Sequence, residues 1–353
     1  MSSEPQGPSL EELLGPFLTV EQVVILPITT LSVMYLVYGI YIVFSGQCIH
    51  ELVVNRDRPN RRLYLGWTIS LFVMITITDA FFTVNYVQQT IYDFNAAKTG
   101  DLIPLLDFNL HNSLKTATNG IINPLTILIN TTADSMLIHR CFVIWGARKR
   151  IGLPLAVLSF LINGVGLSKV IIDTVIVSDT TNEAHYELAM KTNGMESAFF
   201  ISNAIFNSVL TLMTGNNLAG RIWWISRQAR AQMGTEINSK YKTIVSILLE
   251  SGILYPLAII LYLVVDNTID SDGLGLLPFN IYVVVHQIAG LAPVLIMVRA
   301  QRGKTTESVQ QVVSTMNFAG TRMGTNDIIS RLEASSQSGS DQDARVEEKV
   351  HVV

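Results

Sequence analysis

Seven stretches of roughly 20 mostly apolar residues recur along the chain, separated by shorter polar segments. A helical run of that length matches the hydrocarbon thickness of a bilayer. The pattern predicts spans at about 22–44, 65–88, 117–146, 151–176, 197–219, 244–266 and 277–298. The third is the longest and is expected to tilt or to project past the bilayer. The expected fold is an all-α membrane protein, a seven-transmembrane helix bundle over 22–299. It is preceded by a short segment, 1–21, and followed by a tail, 300–353. The tail is rich in Ser, Gln, Glu and Asp and is expected to be mostly disordered. Near its start Val309, Val312, Val313 and Met316 repeat at helical spacing, consistent with a short interfacial helix.

Lys and Arg orient the bundle. Arg56, Arg58, Arg61 and Arg62 fall in the first connection and Arg148, Lys149 and Arg150 in the third. Arg221, Arg227, Arg230, Lys240 and Lys242 fall in the fifth, and Arg299, Arg302 and Lys304 open the tail. The other side holds only Lys98, Lys115 and Lys191. The basic side is expected to be cytosolic, which places the N-terminus outside and the C-terminus in the cytosol. Trp67, Trp145, Trp223 and Trp224 lie near the same cytosolic span ends, at headgroup depth. Residues 1–21 contain no Lys or Arg and no short apolar core ending in small residues, so no cleavable leader is expected.

Composition agrees with a membrane protein: 49% apolar residues, only 15% charged, and positive mean hydropathy. A soluble domain carries about 25% charged residues. Cys48 and Cys141 both fall on the cytosolic side and are expected to be reduced and unpaired. The sequon Asn130-Thr131-Thr132 lies inside the third span and is expected to carry no glycan.

Polar residues inside spans narrow the picture. Asn119, Asn123, Thr126, Asn130 and Asp134 are spaced by 4, 3, 4 and 4 residues, which puts them on one narrow face of the third helix. Asn203, Asn207, Thr211 and Thr214 do the same in the fifth. The second span adds Asp79, the sixth Glu250, and the seventh Asn280, His286 and Gln287. Two readings fit: hydrogen-bonded glue between helices, or a water-filled cavity open to the outside. Asn119, Asn123, Asn130, Asn203, Asn207, Asn280 and Gln287 are its candidate lining. Asp79 and Asp134 are mid-membrane candidates for ion handling. Lys169 and Asp173, four residues apart, are expected to form a local ion pair. Arg140 sits about two turns before the cytosolic end of the third span, at the depth of Glu250 in the sixth. A buried arginine favours a bidentate carboxylate. Glu250 is one candidate partner, forming a cytosolic lock, and Asp134 is the other. A snorkelling arginine is the plainer possibility.

The arrangement resembles a G-protein-coupled receptor, with Arg140 near the inner end of the third helix, Asp79 in the second, and prolines 256 and 293 where receptor helices kink. The details depart from the rhodopsin-like pattern. His139 replaces the acid before the arginine, Ile253 and Leu254 precede the helix 6 proline, and "APVLI" stands where Asn-Pro-x-x-Tyr belongs. No extracellular cysteine pair is present. A closer resemblance covers nearly all seven spans. "ADSMLIHRCFVIWG" (133–146), "LLESGILYPLAIIL" (248–261) and "GLAPVLIMVRAQRG" (290–303) resemble the large, mostly uncharacterised seven-span membrane protein family of mushroom-forming (basidiomycete) fungi. The resemblance implies a receptor-like protein and makes Arg140, Glu250 and Pro293 family-motif positions. It brings no ligand.

Other function classes fit less well. The seventh span has no lysine for a retinal Schiff base. Only His139 and His286 lie in spans, too few for a zinc hydrolase. Neither G-x-S-x-G nor H-E-x-x-H occurs. No enzymatic activity, metal, cofactor or nucleic-acid partner is expected. The expected partners are the lipid bilayer, an unknown extracellular ligand and a heterotrimeric G protein at the cytosolic face, with the plasma membrane as location. The alternatives are a small seven-span solute transporter, although no internal repeat joins 22–146 to 197–298, and a membrane protein with no signalling role.

Overall fold

The computed structural model describes residues 15–54, 60–111, 113–178, 183–229, 251–269 and 278–299. Glu250, the interfacial segment 309–316 and the remainder of the tail lie outside the described residues. Among those described, the regular structure is entirely helical, and seven helices are long and apolar enough to cross a membrane. They are α1 (Leu26–Val54), α2 (Arg61–Thr99), α3 (Ser113–Ile144), α4 (Lys149–Ser178), α5 (Glu183–Ala229), α6 (Ser251–Thr268) and α7 (Tyr282–Arg299). One turn of π-helix, Glu21–Ile25, leads into α1. Several helices outrun their apolar stretches. α2 continues to Thr99, where Gln89 donates to Asp93 at 2.9 Å, a contact one turn apart on the helix surface.

A short helix, Ile103–His111, was not foreseen. The Asp101 carboxylate accepts from the Ile103 amide at 3.0 Å and caps its start. Leu102, Leu105 and Phe108, three residues apart, pack back on Ala96 and Tyr92, with the Tyr92 and Phe108 rings stacked at 4.1 Å.

Burial shows which helix is central. In the apolar window of α7, 83% of residues are buried inside the protein, against 17% for the first span. Phe160, Leu153, Leu36 and Ile205 point outward and are more than half exposed, as expected of side chains that meet lipid tails. Gly252 marks a close approach of α6 to α5. A Cβ there would stand 2.5 Å from Thr211 Cγ2, and the Thr211 hydroxyl donates to the Gly252 carbonyl at 3.1 Å. Gly166 does the same for α4, since its Cβ would meet Phe199 at 2.7 Å and Ile127 at 2.9 Å. Small residues at such contacts let membrane helices pack backbone to backbone.

Cys48 and Cys141 form no disulfide among the described residues and are fully buried. Lys169 and Asp173 form the (i, i+4) ion pair that their spacing predicts.

Candidate functional site

Two buried hydrogen-bonded groups hold the seven helices, and a cavity lies against both. The first joins α1, α2 and α7. Asp79 is 2% exposed. Its Oδ1 lies 2.9 Å from His286 Nε2, and its Oδ2 accepts from Gln287 Nε2 at 2.9 Å. The same Gln287 amide donates to the Met34 carbonyl of α1 at 3.2 Å. The His286 ring stacks on Phe82 at 5.3 Å. Its Nδ1 is buried with no hydrogen-bond partner among the described residues.

The second group joins α3, α4, α5 and α6 in a closed ring of side chains. Tyr255 Oη donates to Asn130 Oδ1 at 2.8 Å, and Asn130 Nδ2 donates to Asn163 Oδ1 at 2.9 Å. Asn163 Nδ2 donates to Asp134 Oδ2 at 3.1 Å, joined there by the Ser159 hydroxyl at 2.9 Å. In the other direction Asn203 Nδ2 donates to Tyr255 Oη at 2.9 Å, and Asn207 Nδ2 donates to Asn203 Oδ1 at 2.8 Å. Asn207 Nδ2 closes the ring on Asp134 Oδ1 at 3.2 Å. Both Asp134 oxygens therefore act as acceptors, and Asp134 is wholly buried. In low dielectric such a network is strong when complete and costly when one member is lost.

These residues meet because of helical period. Asn130 and Asp134 are four apart on α3, Asn203 and Asn207 on α5, and Ser159 and Asn163 on α4. Each pair presents adjacent polar groups on one face. Pro124, inside α3, leaves the Gly120 carbonyl without its usual helical donor beside the cavity residue Asn123.

The cavity, about 370 Å³, lies in the half of the bundle that holds the start of α3 and the end of α6. Its lining includes Asn123, Asn130, Tyr255, Asn280 and His286, with the charged residues Lys169, Asp173, Glu196 and Asp266. Asn130 and Tyr255 belong to the ring as well, and His286 to the Asp79 group. The Tyr262 hydroxyl donates to Glu196 Oε1 at 3.0 Å. Phe200, Tyr262 and Tyr282 form a ring cluster with centroids 4.9, 5.7 and 6.3 Å apart.

The candidate lining residues thus divide four ways. Asn123, Asn130 and Asn280 line the cavity. Asn203 and Asn207 sit in the ring beneath it, and Gln287 belongs to the Asp79 group. Asn119 pairs across α2–α3 instead, accepting from Asn85 Nδ2 at 2.8 Å. The glue and cavity readings of the polar faces therefore each describe part of the set. Asp79 and Asp134 occupy separate groups, and among the described residues no cluster of His, Cys, Asp and Glu is arranged to hold a metal ion.

Arg140 Nη1 is buried with no hydrogen-bond partner among the described residues. Asp134 is engaged by Ser159, Asn163 and Asn207, so the contact between Arg140 and Asp134 weighed from sequence is not made. The pairing with Glu250 falls outside the described residues. Next to Arg140, His139 Nδ1 lies 2.9 Å from the Tyr64 hydroxyl, and the His139 ring meets Trp67 edge-on at 5.4 Å.

Asn130 is 4% exposed and its amide is used at both ends. No glycan fits there. Deglycosylation of the expressed protein is expected to produce no mass shift that Asn130→Gln abolishes, and such a shift would place this part of α3 outside the bilayer.

Comparison of the chain with protein-family models, with curated proteins and with solved structures finds no match.

Proposed function

We propose that this protein is a receptor-like sensor in which an external ligand enters the cavity and shifts the bundle between two arrangements read at its arginine-rich end. One observation carries the reading: Asn130 and Tyr255 line the cavity and are also members of the ring that ties α3, α4, α5 and α6 together. A ligand that touches either side chain acts directly on the bonds between helices. Ligand binding shifts such an equilibrium only through contacts that differ between the two states, and this placement supplies them. The Lys and Arg distribution supports an N-terminus outside and a cytosolic C-terminus, so that the cavity opens outward. The plasma membrane is the corresponding location and a heterotrimeric G protein the corresponding partner. The motifs around Arg140, Glu250 and Pro293 add the resemblance to the receptor-like seven-span family of basidiomycete fungi.

The wholly buried carboxylate Asp134 and the nearly buried Asp79 favour one second reading, a cation-coupled transporter. Reconstitution separates the two. A receptor accelerates guanine-nucleotide exchange on an added heterotrimeric G protein and moves no solute into proteoliposomes. A transporter gives solute flux and no exchange.

In the receptor reading Arg140 and Glu250 form a resting-state lock. Glu250→Gln is then expected to raise basal exchange by about 5-fold or more, from a coupling of ~1–3 kcal/mol, at near-normal surface expression. Basal exchange equal to wild type would leave Arg140 as a snorkelling anchor.

A further inference from the structure

The cavity's charge and its aromatic wall select a ligand class. Three carboxylates, Asp173, Glu196 and Asp266, face one amine, Lys169, which leaves a formal charge of −2 on the described lining with His286 neutral. Lys169 is already matched by Asp173, and the lining carboxylate set against the aromatic rings is Glu196. Glu196 is half-buried beside Tyr262, and Asp266 lies one helical turn beyond Tyr262 at the exposed mouth. Carboxylates in a partly desolvated site favour a counter-cation. The rings of Phe200, Tyr262 and Tyr282 cluster next to Glu196. Aromatic faces within ~6 Å attract ammonium groups and repel anions.

A second, independent feature lies deeper. His286, 6% exposed, lines the cavity, and its Nδ1 has no partner among the described residues. With Nε2 turned to Asp79, the tautomer that donates from Nε2 leaves Nδ1 as a lone-pair acceptor. In that tautomer Nδ1 is suited to an N–H or O–H donor on an occupant. The volume of about 370 Å³ accommodates a small organic molecule.

We infer that the cavity binds a small protonated amine with an aromatic or apolar body, its ammonium held by Glu196 among the rings of Phe200, Tyr262 and Tyr282. The inference rests on the proposed function only in taking this cavity as the ligand site.

The test uses the purified full chain in lipid nanodiscs and three probes that share one body: 2-phenylethylammonium, 2-phenylethanol and phenylacetate. Calorimetry is expected to show 2-phenylethylammonium binding with a Kd of about 1 mM or tighter, at least ~10-fold tighter than the other two probes. Glu196→Gln is expected to weaken it by about 10-fold or more. Should that variant fail to fold, Tyr282→Leu, which removes one ring and no charge, is expected to weaken the ammonium probe and leave 2-phenylethanol nearly unaffected. Asn123→Trp, which fills the cavity from a half-buried position, is expected to abolish binding. If 2-phenylethanol or phenylacetate binds as tightly and Asn123→Trp abolishes it, the cation class is wrong and the cavity stands as the ligand site. Binding that survives Asn123→Trp overturns both. Failure of all three probes to bind overturns the inference, while the nucleotide-exchange assay judges the receptor reading separately.

Discussion

Asp134→Leu is expected to destabilise the bundle more than any other single change in a helix interior. The carboxylate accepts from Ser159, Asn163 and Asn207, which come from two neighbouring helices. Leucine removes the acceptor of all three bonds: the Ser159 hydroxyl loses its carboxylate, while the Asn163 and Asn207 amides keep only their contacts to Ser159 and Asn203. An unmet buried donor costs about 1–3 kcal/mol, although interhelical hydrogen bonds in membranes average nearer 0.6 kcal/mol each because the unfolded state also finds partners. The combined loss is expected to be about 2–4 kcal/mol. Asp134→Asn keeps one carbonyl acceptor and is expected to lose about half as much. The buried thiols Cys48 and Cys141 supply the readout, since a thiol-reactive dye reaches them only as the helices separate. A lower midpoint for Asp134→Leu, with Asp134→Asn between it and wild type, is the expected order. Equal midpoints would mean that the ring bears little of the stability.

Tyr255→Phe is expected to have the larger effect on signalling. The Tyr255 hydroxyl accepts from Asn203 and donates to Asn130, and it is the only group of α6 in the ring as described. Phenylalanine fills the same space, so packing against Ile259 and its neighbours is retained while α6 loses its polar hold on α3 and α5. If the ring braces the resting arrangement, its removal frees α6. A coupling of ~1–3 kcal/mol corresponds to roughly a 5–150-fold change in the population of the other state. Basal nucleotide exchange is expected to rise by at least the lower figure, with surface expression near normal. Basal exchange unchanged from wild type would show that the ring is structural glue and carries no information from the cavity.

Much of this arrangement was legible in the sequence, and the reasons are physical. Seven apolar runs near 20 residues reappear as seven helices, because hydrocarbon thickness leaves little freedom in length. The polar faces of α3 and α5 were readable from their 4-residue spacing, and Asn130, Asp134, Asn203 and Asn207 do converge. The α4 contribution was missed. Ser159 and Asn163 sit in a helix otherwise dominated by Leu, Ile and Val, and their spacing of four was the one available signal. Tyr255 was missed because a tyrosine beside a proline reads as packing. Helical period also fixes a face without naming its neighbour, which is why Asn119 and Gln287 lie in polar contacts apart from the cavity wall. Glu196, Asp266 and the three-ring cluster are drawn from three helices, and nothing local links them. The short helix Ile103–His111 was hidden by its length, about two and a half turns, too brief for an apolar window to register.

A sensor of external ligands requires that the cavity face the outside of the cell. Both native thiols are buried, so single introduced cysteines report without interference from a large background. Asn280 is exposed and lines the cavity, whereas Arg148 is exposed in the turn between α3 and α4 at the opposite end. Labelling of intact cells with a membrane-impermeant maleimide is expected to modify Asn280→Cys at once and Arg148→Cys only after permeabilisation. Labelling of Arg148→Cys in intact cells, with Asn280→Cys protected, would turn the cavity toward the cytosol and contradict a sensor of external ligands.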